Sequence, residues 1–275
     1  MILDGRSRLA GVFGWPVQHS RSPRLHGYWL EQHEVNGAYL PLPVRPEDFG
    51  EAVRVLPRLG FAGANVTLPH KEAAFAAADS RDQTAQRIGA VNTLVFAEDG
   101  SIRGSNTDAY GFTQNLVEGA AGHDWAGGPA VVLGAGGAAR AVLALDRRAV
   151  HAIDGVEHLG HRITVAKEEA LAALASATTV VDWGERAAAL DGAALLVNTT
   201  SLGMTGQAPL DLALDALPTT AVVTDLVYAP LETPLLAAAR ARGNPAVDGL
   251  GMLLHQARPG FHAWFGVDPR VDDGL

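Results

Sequence analysis

Residues 129–140 read Pro129-Ala130-Val131-Val132-Leu133-Gly134-Ala135-Gly136-Gly137-Ala138-Ala139-Arg140. An apolar strand runs into the spacing Gly-x-Gly-x-x-Ala, and a helical pattern follows. In such a turn the first glycine permits a tight bend, the second lets a pyrophosphate approach the backbone, and the small third residue lets helix and strand pack closely. The free N–H groups at the helix start favour the phosphate charge. We therefore favour a dinucleotide-binding turn over an ordinary glycine-rich turn between a strand and a helix.

Apolar runs alternate with helical patterns along the whole chain. The runs that predict strands are Leu9–Phe13, Tyr39–Val44, Gly63–Leu68, Leu94–Phe96, Ala130–Leu133, Ile163–Ala166, Leu195–Asn198 and Ala221–Leu226. The stretches that predict helices are Glu72–Ala78, Ala138–Leu145, Glu168–Ala175 and Pro234–Ala241, with a further helix beginning near Pro23. This repetition predicts an α/β protein with parallel sheets covered by helices. The glycine-rich patch from Gly119 to Gly128 marks the expected entrance to a second unit.

Composition excludes several function classes. The chain has 275 residues, of which 48% are hydrophobic and 19% charged, as is typical of a globular protein with a sizeable core. Its net charge of −9 argues against a nucleic-acid-binding surface. It has no cysteine, and its histidines lack the close spacing of metal ligands, so we expect no disulfide and no metal site. We see neither a signal-like segment nor an apolar run of membrane-spanning length, and we expect a cytoplasmic protein with no membrane partner.

The identity of the dinucleotide depends on the end of the next strand, which we place at Ile163–Ala166. A carboxylate there would bind the ribose hydroxyls of NAD, whereas a cation would accept the extra phosphate of NADP. Lys167 follows this strand, but Glu168 comes directly after it. Lys167 as a phosphate contact and Lys167 as a solvated lysine at a helix start both remain open. Arg140 is a second candidate for the phosphate.

A second informative stretch follows the first predicted strand and reads Gly14-Trp15-Pro16-Val17-Gln18-His19-Ser20-Arg21-Ser22-Pro23-Arg24-Leu25-His26. Ser20 and Ser22 lie at a strand-to-helix turn, where two hydroxyls can contact one small ligand. A polyhydroxylated acid suits this pair better than a phosphate, which would require more glycines and a lysine. On spacing alone, an ordinary turn and helix cap fits the same residues.

Six further motifs complete the pattern. They read Gly63-Ala-Asn-Val-Thr-Leu-Pro-His-Lys71, Gly89-Ala-Val-Asn-Thr93, Gly104-Ser-Asn-Thr-Asp-Ala-Tyr-Gly111, Asn198-Thr-Thr-Ser-Leu-Gly-Met204, Asp225-Leu-Val-Tyr-Ala-Pro230 and Gly249-Leu-Gly-Met-Leu-Leu-His-Gln-Ala257. Together with the serine pair and the glycine turn, this ordered set resembles the shikimate dehydrogenase family over nearly the whole chain.

The resemblance implies three parts of the chain. Residues 1–108 would form a substrate-binding catalytic domain with a mostly parallel sheet, and residues 109–245 a Rossmann-type NADP-binding domain. Residues 246–275 would form a C-terminal helical segment that packs back on the first domain, with the active site in the cleft between the domains. The implied reaction is the reversible NADPH-dependent reduction of 3-dehydroshikimate to shikimate in aromatic amino-acid biosynthesis. We expect a monomer or homodimer.

The same resemblance assigns Lys71 and Asp108 as the catalytic pair, and the chemistry of these residues fits the reaction. Reduction of a ketone by hydride places negative charge on the carbonyl oxygen, which needs a positive or proton-donating group beside it. Lys71 supplies an ammonium, and Asp108 would hold that ammonium in place. Taken singly, Lys71 also fits a surface lysine at a helix start, and Asp108 also fits a helix cap.

The family's remaining contacts carry over by position. For the substrate, the resemblance implies Ser20 and Ser22 at the carboxylate, Asn65, Thr67, Asn92 and Gln256 around the hydroxyls, and Tyr228 on the carboxylate side. For the cofactor, it implies Gly134, Ala135, Gly136, Gly137, Ala138, Arg140, Lys167, Thr199, Met204, Gly249 and Met252, with Met252 near the nicotinamide.

Three positions depart from the family's pattern. Gly27 follows His26 where asparagine is usual, which should affect local helix packing more than chemistry. His70 precedes the catalytic lysine where an aromatic or apolar residue is common, and a histidine there would alter the pocket wall or the pH profile. Ala166-Lys167-Glu168 replaces the usual arginine-containing phosphate clamp, which puts the selectivity for NADP in question.

Two alternatives remain. The nearer one is a quinate or quinate/shikimate dehydrogenase that uses NAD; a smaller or differently shaped residue in place of Ser22 would favour it, so Ser22 favours shikimate. The other is a non-catalytic dinucleotide-binding regulator. Retention of both Lys71 and Asp108 argues against a regulator, because a sensor needs no proton-transfer pair.

Overall fold

The computed structural model describes residues 3–134, 136–143, 150–154 and 178–272. Contacts divide the chain into two compact units. Unit 1 comprises the described parts of Met1–Asp108 and Leu254–Leu275, and unit 2 comprises those of Ala109–Leu253. Residues 246–253, which the family resemblance groups with the C-terminal segment, thus belong to unit 2.

Unit 1 is built on a six-stranded sheet with the strand order β2-β1-β3-β5-β6-β4. Its strands are β1 (Arg8–Gly14), β2 (Gly37–Pro43), β3 (Phe61–Val66), β4 (Ser80–Arg81), β5 (Thr93–Phe96) and β6 (Ile102–Ser105). Its helices are α1 (Ser22–Gln32), α2 (Phe49–Val55), α3 (Lys71–Ala77) and α4 (Gln83–Ile88). The sheet is mostly parallel, as predicted, except that β5 runs antiparallel to both of its neighbours.

The reversed direction of β5 brings three loops to one edge of this sheet. In the register, Asn65 of β3 lies beside Thr93 at the start of β5, and Thr93 lies beside Ser105 at the end of β6. The carboxyl ends of β3 and β6 therefore meet the amino end of β5. The loops next to these strand ends therefore lie at the same edge of the sheet. They contain Thr67 to Lys71 after β3, Asn92 before β5, and Asn106 to Asp108 after β6.

The C-terminal half of a long helix closes one face of the unit 1 sheet. This helix extends over Leu250–Phe265, and its Trp264 is completely buried. The Trp264 Nε1–H donates to the Leu94 carbonyl oxygen at 2.9 Å. Gly63 permits this close approach, because a Cβ at that position would overlap the Trp264 ring. An aromatic cluster that includes Trp29 and Phe261 fills the space between helix and sheet.

Unit 2 contains a second six-stranded sheet, in which every pair of neighbouring strands is parallel. Its strands are β7 (Ala130–Leu133), β8 (Val150–Asp154), β9 (Thr178–Asp182), β10 (Leu195–Asn198), β11 (Val222–Asp225) and β12 (Ala246–Val247), in the order β12-β11-β10-β7-β8-β9. Its helices are α5 (Asp108–Gly119), α6 (Gly137–Leu143) and α7 (Pro234–Ala241), and the long C-terminal helix is α8 (Leu250–Phe265). The strand order reverses between β7 and β10, which is the point where doubly wound folds bind their ligands.

Alternate residues of the central strands supply the two cores of unit 2. Val132 and Val197 lie in one apolar cluster, whereas Val131 and Leu196 lie in the other. Successive side chains of a strand point to opposite faces of the sheet, so these continuous apolar runs mark strands covered on both faces.

The α/β fold class predicted from the sequence is confirmed, but the strand placed after the glycine turn is wrong. The neighbour of β7 on the side away from β10 is β8 (Val150–Asp154), not Ile163–Ala166. His151 and Asp154 interrupt the apolar run of β8, which made that run hard to recognise as a strand. The segments Ile163–Ala166 and Glu168–Ala175 lie outside the described residues.

His26 is an unusual member of the aromatic core of unit 1. It is completely buried and stacks on Tyr39, with ring centroids 3.9 Å apart and an interplanar angle of 6°. Neither ring nitrogen has a hydrogen-bond partner among the residues that the structure describes. Burial lowers the pKa of His26 to about 3, against a smaller opposing effect of the Asn65 amide. The ring is therefore neutral in the folded protein at every pH near neutrality.

This buried neutral imidazole makes stability depend on pH. The unfolded chain binds a proton at His26 below about pH 6.5, whereas the folded chain does not until about pH 3. The contribution of His26 to the free energy of unfolding is therefore fully present above about pH 6.5 and decreases as the pH falls. Between pH 7 and pH 5 this decrease should amount to about 2 kcal/mol. Denaturant unfolding at both pH values should show a flatter pH dependence for His26→Phe than for the wild type.

An exposed histidine provides the control for this measurement. His123 lies at the surface of unit 2, so His123→Gln removes an imidazole without disturbing a core. If His26→Phe kept the full wild-type loss of stability between pH 7 and pH 5, His26 would not be the group responsible.

Candidate active site

Lys71 and Asp108 form an ion pair at the common edge of the unit 1 sheet. Lys71 begins α3, Asp108 begins α5, and Lys71 Nζ lies 2.6 Å from Asp108 Oδ2. The Lys71 side chain is 18% exposed and that of Asp108 is 4% exposed. An ammonium with little solvent access next to a buried carboxylate differs from the surface lysine that the sequence alone allowed.

The second oxygen of Asp108 is also held by a side chain. Asn92 Nδ2 donates to Asp108 Oδ1 at 2.7 Å, so each carboxylate oxygen has its own donor. The expected alternative role of Asp108 as a helix cap falls to another residue, because Asn106 Oδ1 accepts the Asp108 N–H at 3.1 Å. The two oxygens of Asp108 therefore accept hydrogen bonds from Lys71 and Asn92, and its side chain does not cap the helix.

A chain of polar side chains continues from Asn92 into the sheet. Asn92 Oδ1 accepts from the Thr107 N–H at 2.9 Å and from Thr93 Oγ1 at 3.0 Å. Asn65 Nδ2 in turn donates to Thr93 Oγ1 at 3.1 Å. Thr93 and Thr107 were missed as site residues, although each is adjacent in sequence to a residue that was assigned, Asn92 and Asp108 respectively.

The serine pair lies at the start of α1. Ser20 Oγ accepts the Ser22 N–H at 3.3 Å, so one serine has the capping-type contact that spacing alone suggested. Both serines are half-buried and leave part of their side chains accessible. Ser22 lies beside the Tyr39 phenol and, by hydrogen bonding, offsets a small part of the increase that burial produces in the pKa of Tyr39.

Thr67 and His70 shape the turn between β3 and Lys71. The Thr67 N–H donates to the Phe13 carbonyl at 2.9 Å, which holds the turn against the end of β1. His70 is buried, stacks on Phe49 and donates through Nε2 to the Val44 carbonyl at 2.8 Å. Burial lowers the pKa of His70, and the bond to Val44 opposes this in part. The histidine thus anchors the start of α3 within the core.

Gln256 extends the polar cluster from α8. Its backbone carbonyl accepts from Thr107 Oγ1 at 2.8 Å, which ties the helix to the loop before Asp108. Its side-chain Oε1 is buried without a hydrogen-bond partner among the described residues. Unpartnered buried oxygens are uncommon, and a ligand hydroxyl is one group that would satisfy this one. The neighbouring His255 is also buried.

In unit 2, the glycine turn follows the carboxyl end of β7. Gly134 has φ +105°, and a Cβ there would lie 2.7 Å from Thr199 Oγ1, so only glycine fits. At Gly136 a Cβ would meet nothing within 4 Å, and the backbone is open on that side, as the approach of a pyrophosphate requires. Gly137 and Ala138 open α6, which also contains the half-buried Arg140.

Two further strand ends lie in register with this turn. Asn198 at the end of β10 pairs with Leu133 of β7 and with Asp225 of β11. Thr199 donates to the Leu133 carbonyl through its hydroxyl at 2.6 Å. Asn198 Nδ2 donates to Asp225 Oδ1 at 2.9 Å, and Thr233 Oγ1 donates to Asp225 Oδ2 at 2.7 Å. Burial raises the pKa of Asp225, and these hydrogen bonds oppose the effect.

The remaining predicted residues fall into three groups. Tyr228 and Met204 are half-buried in loops of unit 2 that follow β11 and β10. Gly249 and Met252 have packing roles, because a Cβ at Gly249 would overlap the Leu226 carbonyl and Met252 is buried in an apolar cluster. The predicted cofactor contacts Ala135 and Lys167 lie outside the described residues.

The described ranges contain no group of three or more histidine, aspartate or glutamate side chains arranged to hold a metal ion. Among the same residues, no helix is both long and apolar enough to cross a membrane.

Comparison with known proteins agrees with this geometry. Residues 12–94 match the family model of the shikimate dehydrogenase substrate binding domain. The shikimate dehydrogenase (NADP(+)) of Paramagnetospirillum magneticum is 60% identical over 99% of this chain and 98% of the relative. The enzyme of the same name from Rhodospirillum rubrum is 58% identical over 100% of this chain and 97% of the relative.

Solved structures give the same result. The shikimate 5-dehydrogenase of Thermus thermophilus, in complex with NADP(H) and shikimate, has a TM-score of 0.81 and 36% identity, covering 96% of this chain and 95% of that one. A quinate dehydrogenase from Corynebacterium glutamicum in complex with NAD has a TM-score of 0.85 at 28% identity, covering 96% and 95%. With more than half of its residues shared with full-length relatives, and with the motifs gathered as described, this chain belongs to the shikimate dehydrogenase family.

Proposed function

We propose that the protein catalyses the reversible reduction of 3-dehydroshikimate to shikimate with NADPH as the reductant. The observation that carries this proposal is the 2.6 Å contact between the Lys71 ammonium and the buried Asp108 carboxylate. Family membership supplies the substrate class, since full-length relatives at 58% and 60% identity bear the name shikimate dehydrogenase (NADP(+)).

Lys71 and Asp108 are placed to handle the proton of this reaction. NADPH, when bound, supplies the hydride that adds to the carbonyl carbon. The carbonyl oxygen then gains negative charge and must acquire a proton to become a hydroxyl. Lys71 stabilises that charge with its ammonium and donates the proton, while Asp108 holds the ammonium in position. In the direction of oxidation, the same pair accepts the proton of the hydroxyl.

The polar residues of unit 1 match a small anionic polyol. Ser20 and Ser22 offer hydroxyls to the carboxylate, as both are half-buried at the start of α1. Gln256 Oε1 would accept from a substrate hydroxyl, which would remove its unpartnered state. Asn65 and Thr67 lie at the same sheet edge and complete the set of hydroxyl contacts.

The glycine turn of unit 2 fits the dinucleotide. The open backbone at Gly136 and the positive φ of Gly134 are the features that a pyrophosphate contact requires. Arg140 is the cation of this turn within the described residues. Lys167 stays a predicted contact of the 2′-phosphate through the family resemblance alone, because the strand placed before it is not the neighbour of β7.

The second candidate is an NAD-dependent dehydrogenase of quinate or of both acids. Asp154 ends β8, about 20 residues after Gly134, where doubly wound folds place the carboxylate that binds the ribose of NAD. Ser22 still favours shikimate as the acid. A non-catalytic regulator is disfavoured, because the Lys71–Asp108 pair is retained and is shielded from solvent.

The other expectations stay predictions. The net charge of −9 supports small-molecule partners rather than nucleic acids. A cytoplasmic location and a monomeric or homodimeric state are our inferences from the sequence.

Removal of either member of the ion pair should abolish most of the activity. Lys71→Ala should lower kcat for shikimate oxidation by at least about 10²-fold, the usual effect of removing a positioned acid–base group. Asp108→Asn should also be severely impaired, because a carboxamide has one acceptor oxygen for two donors, Lys71 and Asn92. Steady-state measurement of NADPH formation by its absorbance checks both variants.

An exposed ion pair in the same unit is the matched control. Arg54 and Asp79 are 3.0 Å apart with side chains 50% and 43% exposed, and Arg54→Ala should retain wild-type turnover. Near-normal kcat in both Lys71→Ala and Asp108→Asn, in folded samples, would remove the proposed catalytic pair.

The position of Asp154 leads to a prediction about the cofactor. We expect NADP to be preferred over NAD by a smaller margin than in relatives with an arginine clamp, because an aspartate is the last residue of β8 and a carboxylate at this position of a doubly wound fold would oppose the 2′-phosphate. A single repulsion in a solvated site amounts to about 1 kcal/mol, or about fivefold in affinity. Asp154→Asn should therefore lower KM for NADP about fivefold and raise KM for NAD.

Kinetics with shikimate or quinate, each with NADP or NAD, test cofactor and substrate choice together. Lys167→Ala serves as the opposite variant and should raise KM for NADP while leaving that for NAD nearly unchanged. Equal effects of Asp154→Asn on both cofactors would show that Asp154 does not discriminate between them.

A further inference from the structure

Tyr39 is a buried phenol that touches the substrate-binding residues of unit 1. It lies in β2 with 6% of its surface exposed. Its hydroxyl donates to Asn65 Oδ1 at 2.6 Å, a short bond for two neutral groups. The His26 ring stacks in parallel on one face of the phenol ring, with the ring centroids 3.9 Å apart. The short contact and the fixed ring together give Tyr39 little freedom.

The direction of each hydrogen bond near Tyr39 follows from Asp108. The carboxylate only accepts, so Asn92 must direct its NH₂ group to Asp108 and its Oδ1 away from it. That Oδ1 then accepts from the Thr93 hydroxyl, at 3.0 Å. The single hydroxyl proton of Thr93 is thereby used, and Thr93 can only accept on its other side.

The same reasoning determines the orientation of Asn65. Since Thr93 Oγ1 accepts, Asn65 must direct Nδ2 to it, at 3.1 Å. Nδ2 also donates to the Asn92 carbonyl at 3.2 Å, which uses both amide protons. Asn65 Oδ1 therefore faces Tyr39, and only a donor can satisfy it there. Burial raises the pKa of Tyr39 well above its ordinary value, so the phenol keeps the proton that this bond needs.

We propose that Tyr39 is a positioning residue whose phenol proton holds Asn65 Oδ1 at its place in the substrate pocket, while the two Nδ2 hydrogen bonds of Asn65 set which way the amide faces. The inference rests on the proposed function, in which Asn65 contacts a substrate hydroxyl. Tyr39 is also beside Ser22 and so adjoins both the carboxylate side and the hydroxyl side of the pocket. It acts on the substrate through Asn65 and takes no part in the proton transfer at Lys71.

Tyr39→Phe tests this role with minimal change in volume. Loss of the phenol proton removes the Tyr39 donor from Asn65 Oδ1, which is then no longer held at its place in the pocket. We expect KM for shikimate to rise at least about fivefold, with kcat reduced less and KM for NADP unchanged. Calorimetric titration of shikimate should show the same loss of affinity. A residue that only stabilised the fold would instead lower the melting temperature without this selective change.

A double-mutant cycle tests whether Tyr39 acts through Asn65. In an Asn65→Ala background, Tyr39→Phe should have no further effect on KM for shikimate. Tyr28→Phe is the matched control and should leave KM for shikimate unchanged, because the Tyr28 hydroxyl makes a long, exposed contact of 3.5 Å with Asp272. An unchanged KM in Tyr39→Phe, or independent effects of the two substitutions, would overturn the inference.

If Tyr39→Phe does not fold, Asn65→Asp tests the direction of the Asn65 amide instead. The carboxylate still accepts from Tyr39 but cannot donate to Thr93, so KM for shikimate should rise; an unchanged KM would overturn the proposed amide orientation. Absence of shikimate turnover in the wild type would instead remove the proposed function, which separates the two failures.

Discussion

The carboxylate of Asp108 sets the direction of the hydrogen bonds around it. It is nearly inaccessible to solvent and has a separate donor on each oxygen, Lys71 and Asn92. Because a carboxylate only accepts hydrogen bonds, Asn92 must direct its NH₂ group toward Asp108. Thr93 then donates to Asn92 Oδ1 and accepts from Asn65 Nδ2, so the orientation of Asn65 follows from that of Asn92. The polar cluster is thus ordered before any ligand arrives, which reduces the reorganisation that catalysis would otherwise require.

The mixed sheet of unit 1 is what makes this cluster possible. In a purely parallel sheet, the amino end of β5 would lie at the opposite edge from the end of β3. Because β5 is reversed, Thr93 lies beside Asn65, and Asn92 is brought within 2.7 Å of Asp108. The aromatic core beneath it, closed by Trp264, gives the strand ends a rigid support.

Unit 2 uses the opposite arrangement, a fully parallel sheet whose strand ends are in register. Leu133, Asn198 and Asp225 lie side by side, and the loops that follow them are joined by the Thr199 and Thr233 hydroxyls. Gly134 is required where the first loop turns, since its backbone angle and the nearness of Thr199 exclude a side chain. The buried Asp225 has a structural task here, because its two oxygens hold β10 and the start of α7.

The sequence by itself determined the fold class, the buried apolar strands and the glycine turn, because apolar patterning and glycine spacing are local properties. The family resemblance supplied Lys71 and Asp108, which are far apart in sequence and which no local pattern joins. Only the tertiary structure decided that β8 is Val150–Asp154, since its polar residues interrupt the apolar run and its place depends on pairing with β7. It alone also revealed Tyr39 and Thr93 as parts of the site, because the direction of a hydrogen bond depends on the neighbours that folding assembles.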